Sequence, residues 1–166
     1  PGRSNSMCSC RRTPPPGPAS PVIGADGTIY VGSHDRGFVA LARDGSLRWR
    51  YAATDRFYAS AAISSDGTII VGNHDRSVVA LTPQGQLRWR RELGAPVDAS
   101  PTIDDDGTIY VTADGLWALD PGGSPRWHVP TADALRTPPA VHPAGLVLVG
   151  TTDGRIVAVR RTGEVA

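Results

Sequence analysis

From Ser20 onward the chain is written in short apolar runs. "SPVIGADGTIYVG" starts at Ser20, "SAAISSDGTIIVG" at Ser60, "SPTIDDDGTIYVT" at Ser100 and "PPAVHPAGLVLVG" at Pro138. Each sets two runs around a tight turn, at Gly27, Gly67, Gly107 and Gly145. Runs this short, rich in Val, Ile, Thr and Tyr and broken by Asp-Gly, predict strands joined as hairpins. A second series follows each of them: "VALARDGSLRWR", "VALTPQGQLRWR", "WALDPGGSPRWH" and "VAVRRTGEVA". Ala40 to Trp49, Ala80 to Trp89 and Ala118 to Trp127 keep one interval, and the third unit is two residues short just before Leu116. Four strands are predicted per unit. In the first they lie around Pro21 to Ile23, Thr28 to Val31, Phe38 to Ala42 and Leu47 to Tyr51. No stretch holds a helical period long enough to compete.

Four antiparallel strands about every 40 residues make a sheet the size of a propeller blade. One such sheet cannot bury both faces by itself, so blades must stack on their neighbours. Ala40, Ala80 and Ala118 in the third strand suit close approach between sheets. Trp49, Trp89 and Trp127 in the fourth can cover the seam between blades. The units run 20–59, 60–99, 100–137 and 138–166, the last without its fourth strand, whose tryptophan would fall one position past Ala166. That, with Pro1 standing where a start Met would be, predicts a fragment of a larger ring. A compact four-bladed ring is the alternative. Exposed first and last blades would make the isolated chain dimeric or prone to aggregate.

Composition narrows the chemistry only a little. The formal net charge is +1, which gives no field suited to nucleic acid. All 17 basic residues are Arg. Cys8 and Cys10 both lie in the first ten residues and cannot staple the repeats. Residues 1–19, with "RRTPPPGP" at their centre, read as a proline-rich arm or linker. No transmembrane run and no signal-peptide core is visible.

The most conspicuous chemistry is a His-Asp-Arg triplet that occurs twice, in "GSHDRGFVAL" and "GNHDRSVVAL". It falls between the second and third strands, where the fourth unit reads "TTDGRIVAV". Asp35, Asp75 and Asp153 then align as turn residues, while His34, His74 and Arg76 are replaceable. Gly154 stands opposite Arg76, which suggests an altered turn or selection for a charge. In an antiparallel meander alternate connections share a face. The triplets therefore share one with the inter-blade loops "AATDRFYAS", "LGAPVDAS" and "VPTADALRT". Asp55, Arg56, Tyr58, Asp98 and Arg136 are the loop residues predicted to stand beside His34 and His74 as a binding face. The run "IDDDG" at Ile103 to Gly107 reads as turn chemistry ahead of calcium binding, since no glutamate follows at a chelating interval. The flanking arginines of "RWR" and "RWRR" are expected to form a solvated basic rim.

The pattern A-L-x-x-x-G-x-L-x-W at Ala40–Trp49 and Ala80–Trp89, varied at Ala118–Trp127, resembles the PQQ-like β-propeller repeat. Quinoprotein alcohol dehydrogenases, the outer-membrane β-barrel assembly lipoprotein and many propellers of unassigned role share that repeat. The resemblance covers Ser20 to Ala166 and implies seven or eight blades, of which four are present. It also implies an extracytoplasmic, periplasmic or cell-envelope location. A quinoprotein would carry a metal-binding carboxylate cluster, a catalytic aspartate and, in many members, adjacent cysteines. This body has no adjacent cysteines, and only Glu92 and Glu164 as glutamates. The leading expectation is a non-catalytic scaffold with no cofactor, binding a protein or ligand through its loop face. A fragment of a dehydrogenase using PQQ with calcium, and a sensor propeller attached to a protein kinase, are the alternatives. Its partners would be another protein or the remaining blades, and not nucleic acid.

Overall fold

Every regular element among the residues that the computed structural model describes, 19–131 and 135–166, is a β-strand. The first sheet holds β1 (Val22–Ile23), β2 (Ile29–Gly32), β3 (Gly37–Leu41) and β4 (Leu47–Ala52). The second holds β5 (Ala62–Ile63), β6 (Ile69–Asn73), β7 (Ser77–Leu81) and β8 (Leu87–Glu92). The third holds β9 (Thr102–Ile103), β10 (Ile109–Thr112), β11 (Gly115–Leu119) and β12 (Pro125–Pro130). The fourth has β13 (Ala140–His142), β14 (Leu146–Gly150) and β15 (Ile156–Arg160). All four are meanders in which each strand pairs antiparallel with the next, three four-stranded and the last three-stranded. The expected all-β blades are therefore present, with boundaries a residue or two from those read in the sequence. Apart from Ala19, the proline-rich arm falls outside the described residues. No helix among the described residues is long and apolar enough to cross a membrane.

Both faces of the inner sheets are apolar because each packs on a different neighbour. Tyr30, Phe38 and Ala40 of the first sheet, with Phe57 from the following loop, meet Ile69, Val71, Val79 and Leu81 of the second. The opposite face of the second sheet, through Ile70, Val78 and Ala80, meets Ile109, Val111 and Leu119 of the third. Tyr110, Leu116 and Ala118 then meet Val147, Val149 and Val159 of the fourth. Strand alternation sends odd and even positions to opposite faces, so one strand serves two cores. The two outermost faces carry the same residue types without a blade against them: Ile23 is 69 % exposed and Ile156 76 %.

The tryptophans clasp each seam. Trp49 Nε1 donates to the carbonyl of Pro83 at 2.8 Å, Trp89 Nε1 to Pro121 at 2.9 Å and Trp127 Nε1 to Arg161 at 2.8 Å, each in the next unit. Each indole lies on a left-handed glycine two residues beyond the accepting carbonyl. A Cβ on Gly85 would come within 2.6 Å of Trp49, one on Gly123 within 2.6 Å of Trp89, and one on Gly163 within 2.9 Å of Trp127. The glycine of the A-L-x-x-x-G-x-L-x-W pattern is thus the seat for the preceding unit's tryptophan. At Gly45, the equivalent in the first unit, nothing lies within 4 Å.

The flanking arginines lie exposed on the outer strands, as expected, and they are also paired. Arg48, Arg88 and Arg126 reach back to Asp26, Asp66 and Asp106 at the first turn, at 3.0, 2.7 and 3.0 Å. Arg50 and Arg90 reach Asp35 and Asp75 at the second turn, at 3.2 and 3.3 Å. The arginines are strapped across the sheet from its outer strand because long side chains on one face of a narrow sheet find the turn carboxylates. These surface pairs contribute little each.

The first-turn aspartates titrate low for a local reason. The Thr28 hydroxyl and amide hold Asp26 below the usual range, and the Ser64 and Thr68 hydroxyls do so for Asp66. The Thr108 hydroxyl, then its amide, pull Asp106 down to about 2. An unfolded aspartate titrates near ~3.9, so a depressed folded value adds stability above that pH which is lost as pH falls through the folded value. The urea midpoint should therefore drop between about pH 4 and pH 2. In Asp106→Asn that drop should be shallower; an equal drop would remove Asp106 from the explanation.

Candidate functional site: a histidine–tyrosine row on the loop face

The β2–β3 and β6–β7 hairpins and the inter-blade loops meet on one face, and there the loop residues are tied to the hairpins through the backbone. Phe57 N donates to Ser33 O at 3.3 Å, His74 N to Arg56 O at 3.0 Å and Val97 N to Asn73 O at 3.2 Å. Asn73, fully buried, adds a bond from its Nδ2 to Asp55 O at 2.9 Å. Ser33 holds the equivalent place in the first hairpin.

This scaffold sets four side chains in a row. Tyr58 stands edge-on to His34, with ring centroids 4.8 Å apart, and edge-on to His74 at 5.2 Å. His74 Nδ1 lies 2.8 Å from Asp98 Oδ1. An ionised carboxylate can only accept, so His74 Nδ1 donates to Asp98. Hairpin, loop, hairpin and loop contribute His34, Tyr58, His74 and Asp98 in turn, across two blades and the start of a third. Arg56 NH1 donates to Tyr58 Oη at 3.3 Å, and Asp55 Oδ1 accepts from Arg56 N at 2.8 Å. The Nε2 of His34 is buried without a hydrogen-bond partner among the described residues.

Of the seven loop-face residues expected from sequence, His34, Arg56, Tyr58, His74 and Asp98 come together, and Asp55 is adjacent through its backbone. Arg136 does not join them; it is exposed on the segment before the fourth sheet, with no ion pair among the described residues. The turn aspartates do what their alignment implied. Asp35 Oδ1 accepts from Gly37 N and Asp75 Oδ1 from Ser77 N, both at 3.1 Å. The suggestion of an altered turn at Arg76 fails. Arg36 and Arg76 sit at φ 66° and 69°, and Gly154 at 87°, so arginine occupies the same left-handed corner that glycine does.

A second cluster on this face went unread in the sequence. In the third blade Trp117 Nε1 donates to Asp114 Oδ1 at 2.8 Å, and His128 stacks on Trp117 at 3.9 Å and 11°. His128 Nε2 is 3.5 Å from Asp114, beyond hydrogen-bond range. Trp117 replaces Val39 and Val79 in the register, and His128 replaces Arg50 and Arg90. That double departure from the repeat was the available signal.

Two of the three "IDDDG" carboxylates are also spoken for. Asp104, with its side chain 4 % exposed, pairs with Arg161 of the fourth unit at 3.0 Å, and Asp106 holds Thr108 and Arg126. No group of three or more His, Cys, Asp or Glu among the described residues converges as a metal site.

A family model described as outer membrane protein assembly factor BamB matches residues 57–166. Among solved structures, BamB from Moraxella catarrhalis is 27 % identical with a TM-score of 0.74, over 89 % of this chain and 46 % of that one. Kuenenia stuttgartiensis hydrazine synthase aligns at 20 % identity and TM-score 0.77, over 96 % and 51 %. A protein of unknown function from Bacteroides caccae aligns at 18 % and 0.66, over 88 % and 58 %. The last two likenesses are of fold alone. No curated protein matches. The chain spans about half the length of these structures. Repeated blades with tryptophan clasps, and a family match over more than half of the sequence, carry one conclusion: the chain belongs to the PQQ-like propeller family described as outer membrane protein assembly factor BamB.

Proposed function

We propose that the chain is part of a non-catalytic propeller scaffold of the bacterial cell envelope that binds a protein partner through its loop face. The observation that carries this is the row His34–Tyr58–His74–Asp98, set by backbone bonds on a rigid sheet stack. The family description supports the envelope location. Aromatic and imidazole rings with one polar edge each are suited to protein contact, because they lose little side-chain entropy when covered. The open face of the first sheet is assigned to a further blade, whose tryptophan would rest on Gly45 and donate to the carbonyl of Arg43 as its counterparts do.

The test is a photo-crosslinking amino acid at exposed Arg56 in the full-length protein in its own envelope. One discrete protein adduct is expected, and it should be lost in His34→Ala/His74→Ala. Saturable binding of quinone with calcium, or dye-linked alcohol oxidation by the full-length protein, would overturn the scaffold reading in favour of the dehydrogenase.

A further inference from the structure

We propose that the partner segment seated on this face is acidic and extended, with Arg36 and Arg76 as the residues that read its charge. The inference rests on the loop face being the binding surface. It starts from which charged groups there already have a partner. Asp35 is held by Arg50, Asp75 by Arg90, and Asp98 by His74. Asp114 accepts from Trp117, and Asp55 from the backbone of Arg56. Exposed Arg36 and Arg76 have no ion pair among the described residues, so their guanidinium groups are free for a carboxylate, whereas each of those aspartates already has a partner.

The backbone makes the same point independently. A left-handed conformation costs an L-residue about 1–2 kcal/mol. The fourth sheet uses Gly154 at this corner, so the turn itself does not call for arginine. Both corners are nonetheless fixed in place: Arg36 O accepts from Ala53 N at 2.9 Å, and Arg76 O from Leu93 N at 2.7 Å. Two guanidinium groups are thereby presented from equivalent points of adjacent hairpins, each of which also carries a histidine, with Tyr58 set between the two rings. A planar guanidinium pairs with a carboxylate through two parallel bonds. Spaced carboxylates on an extended chain can meet both, with the aromatic row covering the backbone between.

The probe is fluorescein-labelled oligoglutamate, titrated by anisotropy into the full-length protein, beside oligoglutamine and oligo-dT. Saturable, salt-sensitive binding of oligoglutamate alone is expected, weakened by about ten-fold or more in Arg36→Gly/Arg76→Gly, a change equal to at least ~1.4 kcal/mol. That variant should fold, since glycine already serves the corner in the fourth sheet. Arg43→Ala/Arg160→Ala, at turns on the opposite face, should bind as the parent does. No binding, equal binding of oligoglutamine or oligo-dT, or unchanged affinity in the glycine variant would overturn the proposal. Loss of oligoglutamate binding in that variant while the Arg56 adduct persists would also overturn it, and would leave the loop face standing as the binding surface.

Discussion

Trp89→Ala is expected to lower the free energy of unfolding by about 3 kcal/mol, near the bottom of the range for truncating a large aromatic because the indole is only partly covered. The loss has two parts. The ring packs against the core shared by the second and third sheets and lies on Gly123, and its Nε1 donates to Pro121 O at 2.9 Å. Trp89→Phe keeps most of the apolar contact and gives up the hydrogen bond, so it should cost about 1–2 kcal/mol. Gly123→Val should injure the same seam from the other side, since Cβ meets the indole at 2.6 Å and φ is +82°. Urea denaturation followed by far-ultraviolet circular dichroism checks all three. A cost below about 1 kcal/mol for Trp89→Ala would show that the seam is held by the sheet faces without the clasp.

Arg161→Ala is expected to cost about 3 kcal/mol for a different reason. Asp104 is nearly inaccessible in the third blade, and Arg161 reaches it from the fourth, Nε to Oδ2 at 3.0 Å and NH2 to Oδ1 at 3.0 Å. Removing the arginine leaves a buried carboxylate with only the Asp105 amide, at 2.8 Å, to satisfy it. The penalty belongs mostly to that stranded charge. Asp104→Ala/Arg161→Ala should therefore be more stable than Arg161→Ala alone, a coupling with a sign that ordinary additivity does not give. Equal stabilities would mean that Asp104 stays solvated when Arg161 is gone.

Strand number, blade size and the tryptophan seams were legible because a repeat states each feature several times. Ala40, Ala80 and Ala118 face Trp49, Trp89 and Trp127 across β3–β4, β7–β8 and β11–β12 as their fixed interval implied. The pairing of the arginines was not legible, because alternation gives a direction and not a reach. Arg48 and Arg50 point away from Trp49, but each is long enough to find a turn aspartate. Asp104 was hidden for a similar reason, since its partner comes from 57 residues away and belongs to a different blade. On the loop face, shared hairpin parity brought the right residues to one side. It could not tell that Tyr58 lies between two histidines while Arg136 stands apart, because that depends on where each loop crosses its neighbour. Trp117 and His128 are legible only as departures from the repeat, since neither residue recurs at its position in the other blades.

On the proposed function, the row across His34, Tyr58, His74 and Asp98 is kept for recognition and not for folding. Unfolding free energy and the Arg56 photo-adduct, measured on the same His34→Ala/His74→Ala protein, separate the two roles. The prediction is a stability within about 1 kcal/mol of the parent, because both rings are half-exposed, together with loss of the adduct. A fall of several kcal/mol with the adduct retained would contradict it.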